Sequence, residues 1–297
     1  MWQPLGVPPE ELRCDVTLVC GQSFRWKSID AHTWRGVVGS YVVTLRQTDE
    51  DVLYQCIPEA DLSVTLRDYF SLHIPLAPLY RQWQMADAYF AQVAPVFPGL
   101  RVLRTDPVEC LFSFLCSSAN NIARITRMVN NLCACYGERL AEADGTVYYR
   151  FPAVDALAQA DERELLRLGF GYRARVVVHT ARQLAERGEG WLYRLREASY
   201  EEAHNALVTL PGVGHKIADC VCLFALDKPQ AIPVDTHVWQ IARRHYLPEL
   251  RGRSLTERVY WQVGDFFRAR FGEYAGWAHN VLFAAELPAF QKRGLAS

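Results

Sequence analysis

Two helix-periodic stretches joined by a four-residue turn constrain the fold of this chain more than any other sequence feature. The turn is the Pro-Gly-Val-Gly run at residues 211–214, inside a predicted helix-hairpin-helix at about residues 200–226. Gly212 and Gly214 permit positive φ and lack the side chains that would block a close approach to the backbone. The first N–H groups of the second helix have no partner within that helix, so they suit a phosphate oxygen. The sequence therefore predicts a phosphate-binding hairpin.

Two residues near this hairpin have the chemistry of a covalent catalyst. Lys216 lies just inside the second helix, and Asp235 follows 19 residues later at the start of another predicted helix. A lysine in a dry pocket close to one carboxylate is the arrangement that a Schiff-base nucleophile requires. Taken alone, Lys216 is more often an ordinary surface lysine and Asp235 an ordinary N-cap. From these residues, both interpretations stay open.

The composition is typical of a globular protein with reduced thiols. Half of the 297 residues are hydrophobic, which is ample for a buried core. The sequence has no run of about 18 apolar residues that would predict a membrane span, and its N-terminus does not have the pattern of a secretory signal. Nine cysteines outside a small disulfide scaffold indicate an intracellular protein.

Charge is unevenly distributed along the chain. Residues 1–100 contain 7 Lys and Arg against 11 Asp and Glu, whereas residues 101–297 contain 25 against 22. The second part is therefore the better candidate for a polyanion-binding surface. An excess of solvated arginines on helices explains the same numbers equally well.

The secondary-structure pattern favours an α+β fold, with a strand-rich part followed by a helical part. Alternating β-branched residues at 33–57 predict short antiparallel strands, and residues 21–26 are expected to add another. Residues 76–97 predict one amphipathic helix. From residue 105 the pattern is helical to the end of the chain. The predicted domains are residues 1–100, an antiparallel-sheet domain with flanking helices, and residues 101–297, the helical domains.

Capping residues mark the predicted helix starts. Asp106 precedes a proline at the first helical position, and Asn120 is the expected cap of the following helix. Two Ser-x-x-Glu capping boxes, at 199–202 and 254–257, open later helices. Further helices are predicted at 153–159, 161–168, 172–187 and 274–286.

Six segments outside the hairpin belong to a pattern that one protein family shares. They are GQSFRW at 21–26, ECLFSF at 109–114, NNIARI at 120–125, GYRAR at 171–175, ALDKPQ at 225–230 and YAGWA at 274–278. With the hairpin they resemble the eukaryotic-type 8-oxoguanine DNA glycosylases over about residues 12–287. The resemblance implies an antiparallel sheet like that of TATA-binding protein, packed on a helical helix-hairpin-helix glycosylase core.

The same resemblance implies a bifunctional glycosylase and AP lyase that acts on 8-oxoguanine, and on formamidopyrimidine, opposite cytosine in duplex DNA. Lys216 would attack C1′ of the damaged nucleotide, release the base and hold the sugar as an imine, and β-elimination of the 3′ phosphate can follow. Asp235 would stabilise the positive charge that develops on the sugar. It would also take part in deprotonating Lys216.

Four positions correspond to the family's pocket for the extruded base, and three of them carry the family's residue. The Gly21 carbonyl would accept the N7–H that distinguishes 8-oxoguanine from guanine, and Phe283 and Cys220 would sandwich the base. Without the resemblance, Gly21 reads as a turn and Phe283 as a core aromatic. His279 departs from the family, which places a glutamine there to read the Watson–Crick edge. A neutral imidazole keeps one donor and one acceptor, whereas a charged one only donates.

Further residues match the family's contacts to the opposite base and the DNA backbone. Arg124 and Arg173 would bind the cytosine left behind, and Tyr172 would wedge into the vacated stack. Ala119 departs from the family, which has three consecutive asparagines beginning at this position. Its missing amide predicts a weaker preference for cytosine opposite the lesion. The complete set is Asn120, Arg124, Tyr172, Arg173, Gly212, Gly214 and His237, whose simpler interpretation is solvated or half-buried structural residues.

No cofactor is expected. Related glycosylases carry a C-terminal four-cysteine iron–sulfur loop, but no cysteine follows Cys222 here. Hairpin carbonyls could also hold a structural cation. The expected partner is damaged double-stranded DNA, without a membrane, and the chain is expected to be a monomer. Nuclear residence follows from the substrate alone, with a mitochondrial form left open.

Three alternatives stay open. One is a related helix-hairpin-helix glycosylase with another lesion or opposite-base preference, which His279 and Ala119 keep open. Another is a non-catalytic DNA-binding helix-hairpin-helix protein, against which Lys216 together with Asp235 argues. The third is a pure interaction module, which would show no salt-dependent affinity for duplex DNA.

Overall fold

The computed structural model describes residues 1–188 and 190–290, and it confirms the α+β prediction. The strands are β1 (Gln3–Pro4), β2 (Lys27–Ser28), β3 (Thr33–Val38), β4 (Tyr41–Gln47), β5 (Val52–Ile57), β6 (Arg139–Ala143) and β7 (Thr146–Tyr149). The helices are α1 (Cys14–Thr17), α2 (Ser63–Tyr69), α3 (Leu76–Ala86), α4 (Ala88–Val93), α5 (Pro107–Leu115), α6 (Ile122–Tyr136), α7 (Val154–Ala158), α8 (Glu162–Arg167), α9 (Arg173–Arg187), α10 (Trp191–Arg194), α11 (Tyr200–Leu207), α12 (His215–Ala225), α13 (Thr236–Ile241), α14 (Glu257–Phe271) and α15 (Ala275–Glu286).

The first five strands form one antiparallel sheet in the order β1-β5-β4-β3-β2. Leu45 in the central strand pairs with Trp34 on one side and Tyr54 on the other. All three side chains are buried, because alternation places them on the face that packs on the α2 side of the sheet. This buried row is what the alternating sequence pattern predicted.

Two hydrophobic cores meet where the sheet packs on the helices. One core lies under the sheet, and the other lies among the helices. The chain interlocks them, since Val16, Cys20 and Phe24 from the N-terminal part join the helical core and Leu103 joins the sheet core. The loop before β2 is therefore fixed against the helices.

Buried polar contacts hold that loop in place. The Gln22 side chain donates to the carbonyls of Thr17 and Arg101, at 2.9 and 2.8 Å, and accepts from the Leu103 N–H at 2.9 Å. The prediction of a strand at residues 21–26 is wrong, because this loop follows Gln22 into the interior and the strand begins only at Lys27.

Two other predictions of continuous helix are also wrong. Residues 76–97 break at Asp87, whose backbone is extended (φ −146°, ψ 119°) and whose carboxylate caps the next helix through the Phe90 N–H at 2.7 Å. Residues 139–149 are the hairpin β6–β7 instead of helix. Its turn residues Asp144 and Gly145 both have positive φ, which matches the strand twist of a two-residue hairpin.

Helix starts agree with the capping predictions at some positions and shift at others. Asp106 and the Ser199–Glu202 capping box start α5 and α11 as predicted. The cap of α6 is Asn121, one residue after the predicted Asn120, and α14 is capped by Thr256 without the Ser254 box. Among the described residues, no helix is long and apolar enough to span a bilayer.

Candidate active site

The predicted hairpin connects α11 to α12. Gly212 has φ +71°, and a Cβ at this position would overlap the Val176 side chain of α9. The Thr180 hydroxyl, also on α9, donates to the Pro211 carbonyl at 2.9 Å. Gly214 is the N-cap of α12 and supplies no side-chain cap, so among the described residues the first N–H groups of this helix are open for another acceptor.

Lys216 lies in the first turn of α12 and is half-buried. Its Nζ donates to Ser117 Oγ at 3.0 Å and lies 5.1 Å from the centre of the Phe114 ring. Ser117 in turn donates to the Phe114 carbonyl at 2.6 Å. Sequence analysis missed Ser117, although it stands three residues after the ECLFSF segment and just before the asparagines. The end of α5 therefore orients the amine.

Asp235 is both the N-cap of α13 and a charged neighbour of Lys216. Its Oδ1 accepts from the N–H groups of His237 and Val238, both at 2.9 Å, which confirms the capping prediction. Burial raises the pKa of Asp235, but hydrogen bonds from His237 and Val238 and the Lys216 charge outweigh burial, so its pKa lies below the ordinary value. The carboxylate is thus ionised beside a primary amine.

His237 joins this pair from the first turn of α13. Its Nδ1 lies 3.3 Å from Asp235 Oδ2, and this contact raises the pKa of the imidazole. About half of the His237 side chain is exposed, so it can also meet a ligand from outside.

Gly21 and Phe283, which are 262 positions apart in the sequence, lie next to each other. A Cβ on Gly21, whose φ is +86°, would lie 3.2 Å from Ile122 Cδ1 and 4.0 Å from Phe283 Cε1. The Phe283 ring also faces His237 edge-on, with ring centres 5.9 Å apart. A side chain at position 21 would therefore narrow the space in front of Phe283.

Cys220 stands one helical turn after Lys216 on α12 and is buried. Burial raises the pKa of the Cys220 thiol to about 12, against the opposite effect of the Lys216 charge. The thiol is therefore neutral and can present a polarisable apolar surface to a flat ligand.

His279 lies on α15 beside Phe283, with the two rings nearly parallel and 6.4 Å apart. It is only 4% exposed, and neither ring nitrogen has a hydrogen-bond partner among the described residues. Burial lowers its pKa to about 4, although Asp235 and the Gly276 carbonyl act in the opposite direction. His279 is thus a neutral imidazole that lies near the Gly276 carbonyl, and among the described residues neither ring nitrogen has a partner in hydrogen-bond geometry.

The residues predicted to contact the opposite base lie beside the catalytic pair. Both sets reach the turn that follows α5. The Arg173 guanidinium donates to the Ser118 carbonyl, next to the Ser117 that holds Lys216. Arg173 also lies 4.5 Å from the centre of the Tyr172 ring, and Tyr172 is 64% exposed. An exposed tyrosine at a helix start is available to insert into a ligand.

The asparagine turn beside this group has two distinct amides. Asn120 donates to the Cys116 carbonyl at 2.9 Å, so its side chain braces the turn, whereas Asn121 caps α6 through the Arg124 N–H at 2.9 Å. Arg124 reaches the Gly169 carbonyl at 3.3 Å. Ala119 is exposed and has φ +45°, a conformation that asparagine adopts more readily than alanine.

This arrangement combines an amine with a nearby ionised carboxylate, a narrow space between a glycine and an aromatic ring, and an open helix start. A primary amine placed in this way can attack an electrophilic carbon, and the carboxylate can stabilise positive charge that develops there. Within residues 1–188 and 190–290, no group of three or more His, Cys, Asp or Glu side chains is placed to hold a metal ion.

Comparison with known proteins assigns both parts of the chain. Residues 4–111 match the family model of the 8-oxoguanine DNA glycosylase N-terminal domain. Residues 112–264 match that of the HhH-GPD superfamily of base excision DNA repair proteins.

Individual relatives cover most of the chain. An N-glycosylase/DNA lyase of Arabidopsis thaliana is 43% identical over 97% of this chain and 81% of its own length. The N-glycosylase/DNA lyase of Saccharomyces cerevisiae is 36% identical over 95% of this chain and 85% of its own length. A structure of Clostridium acetobutylicum 8-oxoguanine glycosylase/lyase, bound to double-stranded DNA with cytosine opposite 8-oxoguanine, has a TM-score of 0.84 at 29% identity. It covers 92% of this chain and 91% of that one.

Proposed function

Because the chain belongs to the 8-oxoguanine DNA glycosylase family of helix-hairpin-helix base excision repair proteins, we propose that it removes 8-oxoguanine from duplex DNA and then cleaves the strand. N-glycosylase and DNA lyase is the class of activity of this family. The observation that carries the proposal is the placement of the Lys216 amine, held by Ser117, beside the ionised carboxylate of Asp235.

In the proposed reaction, Lys216 supplies the nucleophile. Its neutral amine forms a bond to C1′ while the bond from C1′ to the base nitrogen breaks, and the base leaves with that electron pair and takes up a proton. The amine loses a proton, and opening of the sugar ring gives an imine between Lys216 and the sugar. Loss of a C2′ proton then expels the 3′ phosphate by β-elimination, which breaks the strand.

Asp235 is proposed to act by charge. Its lowered pKa supports a carboxylate that stays ionised while positive charge develops on the sugar. The hydrogen bonds from His237 and Val238 fix the orientation of one carboxylate oxygen. The other oxygen, near His237 Nδ1, is then available to the sugar or to the proton of the attacking amine.

The extruded base is proposed to lie between Phe283 and Cys220, with its edge toward Gly21. The Gly21 carbonyl would accept the N7–H of 8-oxoguanine, which guanine lacks, and an unpaired buried acceptor costs about 1–3 kcal/mol. His279 would read the Watson–Crick edge in place of the family's glutamine. Its ring nitrogens, which have no hydrogen-bond partner within residues 1–188 and 190–290, support this role, since a bound base would satisfy them.

Asn120, Arg124, Tyr172 and Arg173 are proposed to contact the opposite cytosine and the opened stack, while the hairpin of Gly212 and Gly214 binds backbone phosphate. The open N–H groups at the start of α12 support the second contact. Action as a monomer and activity on formamidopyrimidine are further proposals that rest on the resemblance. Nuclear residence, with a mitochondrial form left open, is proposed from the substrate alone, and a cation at the hairpin is proposed from its main-chain carbonyls.

A strand-cleavage panel tests this proposal. Duplexes with 8-oxoguanine, formamidopyrimidine, an alkylated base or undamaged guanine opposite cytosine are incubated with the chain. We expect base release and strand scission with the first two duplexes only. Cleavage confined to the alkylated base would contradict the proposed substrate, and duplex binding without any base release would contradict an enzyme.

A family member with altered lesion preference is the second candidate, and the buried neutral His279 favours it. An imidazole reaches less far than a glutamine amide, so the edge of the bound base could be read differently. His279→Gln separates the two candidates. If 8-oxoguanine is the substrate, the order of preference stays the same in the variant. If another lesion is preferred, the variant should shift the preference toward 8-oxoguanine.

A further inference from the structure

A buried carboxylate lies directly behind the proposed nucleophile. Asp219 follows Lys216 by three residues on α12 and is fully buried. It accepts hydrogen bonds from the hydroxyl of Tyr200 on α11, at 2.7 Å, and from the hydroxyl of Tyr260 on α14. None of the proposed chemical steps uses it.

Tyr260 makes a second contact that connects this carboxylate to the other half of the catalytic pair. Its hydroxyl lies 3.3 Å from the carbonyl oxygen of Ile232. Ile232 stands three residues before Asp235, in the segment without regular secondary structure that leads to the start of α13. A single side chain therefore bridges the helix that carries the amine and the segment that carries the carboxylate.

On the premise of the proposed function, we infer that Asp219 and Tyr260 form a positioning link that sets the separation of Lys216 and Asp235. Neither residue touches the reacting atoms. Both act by fixing the backbone that carries the catalytic pair. Asp219 fixes α12, which carries Lys216, and Tyr260 fixes the Ile232 carbonyl in the segment that leads to Asp235. The link is buried at every member, so it can transmit a displacement instead of absorbing it in solvent.

The hydrogen bonds of this link depend on whether Asp219 is protonated. A tyrosine hydroxyl has a single hydrogen, so Tyr260 donates either to Asp219 or to Ile232. When Asp219 is ionised, its carboxylate takes that hydrogen. When Asp219 is protonated, its own O–H can donate to the Tyr260 oxygen, which frees the Tyr260 hydrogen for the Ile232 carbonyl. The protonated state therefore completes the link.

The surroundings of Asp219 place the loss of its proton near neutral pH. Burial raises the pKa of Asp219 to about 7, against the effect of the tyrosine hydroxyls and Arg268. Burial also lowers the pKa of His204 to about 4, so the imidazole 4.0 Å from Asp219 stays neutral. The groups that face Asp219 are Tyr200 and His204 from α11, Tyr260 and Arg268 from α14, and Cys220 and Cys222 of α12 itself.

Tyr260→Phe and Tyr200→Phe form a matched pair for the test. Each removes one hydroxyl donor from Asp219, but only Tyr260 also reaches Ile232. Both variants should lose thermal stability to a similar degree. In single-turnover excision at saturating 8-oxoguanine duplex, we expect a fall of about tenfold for Tyr260→Phe and less than about twofold for Tyr200→Phe, since misplacement of reacting groups by 1 Å costs up to about a hundredfold.

Asp219→Asn provides a second readout that a merely structural role would not move. The amide does not titrate, and its N–H₂ can donate to Tyr260 as the protonated carboxyl does. The ratio of wild-type to variant excision rates should therefore fall several-fold as the pH rises from about 6 to about 8. Equal rates for the two Tyr→Phe variants, or a ratio that does not change with pH, would overturn the inference. Failure of the proposed function shows itself differently, as a wild-type chain that releases no base.

Discussion

The polar side chains of the site differ in whether the fold provides them with hydrogen-bond partners. Asp235 is ionised and receives two backbone N–H groups, whereas His279 is buried and neutral, and its ring nitrogens have no hydrogen-bond partner in the part of the chain that the structure describes. An unsatisfied buried polar group costs about 1–3 kcal/mol. Residues of this kind lower the stability of the free protein, and the absence of a partner for the His279 ring nitrogens among the described residues supports the proposal that His279 contacts the extruded base.

His279 should make the fold sensitive to acid. Its pKa is about 4 in the fold against about 6.5 in an unfolded chain, so the unfolded state takes up the proton first as the pH falls. The wild-type chain then loses on the order of 3 kcal/mol of unfolding free energy between these two pH values. His279→Gln should shift the acid-unfolding midpoint, followed by circular dichroism, to lower pH. An unchanged or higher midpoint would show that this imidazole is not held neutral by burial.

Replacing Ala119 by asparagine should raise both the stability of the protein and its selectivity for cytosine opposite the lesion. The φ of +45° at Ala119 suits asparagine better than alanine, so Ala119→Asn should raise the unfolding free energy by up to about 1 kcal/mol. Restoring the amide should also increase the excision rate opposite cytosine relative to adenine, guanine and thymine. Ala119→Gly is the control, because it relieves the backbone without adding an amide. If the glycine variant gains the same cytosine preference, or the asparagine variant gains none, the amide is not responsible.

At the scale of helices and strands, the two glycines of the hairpin between α11 and α12 have different roles. Gly212 packs against α9, whereas Gly214 faces open space where a ligand can approach. Gly212→Ala places a methyl group on Val176 at positive φ, which should lower the unfolding free energy by at least about 1–2 kcal/mol and weaken duplex binding. Gly214→Ala has φ −91° and open space around the new Cβ. It should leave the melting temperature nearly unchanged and weaken duplex binding by crowding the phosphate. Equal melting temperatures of the two variants would contradict this division.

Much of this architecture could be predicted from local sequence signals. Strands β3 to β5, the capping box of α11 and the cap of α13 follow from alternation and capping chemistry, which act within a few residues. The hairpin β6–β7 was missed although Asp144-Gly145 is a strong turn signal. The break at Asp87 was missed because apolar periodicity continues across it, and only the carboxylate's bond to Phe90 reveals a new helix.

The site could be predicted only in part, for a related reason. Lys216 and Asp235 lie in one continuous motif, so their spacing along the sequence is informative. Ser117, Ile122 and Tyr260 reach the site from other elements, and their roles depend on contacts between residues that are distant in the sequence. Such contacts leave no periodic trace in a single sequence.

For the whole molecule, the junction between the sheet and the helices depends on a buried charge. Arg101 is inaccessible to solvent, pairs with Glu11 at 2.9 Å and donates to the carbonyls of Phe70, Ser71 and Ile74. The same segment receives Gln22, which places Gly21 in the proposed base pocket. Stability of this junction and geometry of the pocket are therefore coupled.

Arg101→Met should be strongly destabilising. The substitution removes the buried guanidinium that donates to the carbonyls of Glu11, Phe70, Ser71 and Ile74, and it leaves the Glu11 carboxylate without its charged partner, which costs about 3–5 kcal/mol. Arg139→Met is the control, because Arg139 pairs with Glu142 at the surface and should contribute less than about 1 kcal/mol. Denaturant titration measures both. A similar, small loss in the two variants would show that the buried guanidinium does not hold the junction.

Borohydride trapping of the full chain on an 8-oxoguanine duplex tests the central claim, that Lys216 is the nucleophile. Reduction of an imine between lysine and the sugar leaves a stable protein–DNA adduct. The account predicts this adduct for the wild-type chain, with peptide mapping to Lys216, and its loss in Lys216→Gln while duplex binding persists. An adduct that forms undiminished in Lys216→Gln, or that maps to another residue, would contradict the account.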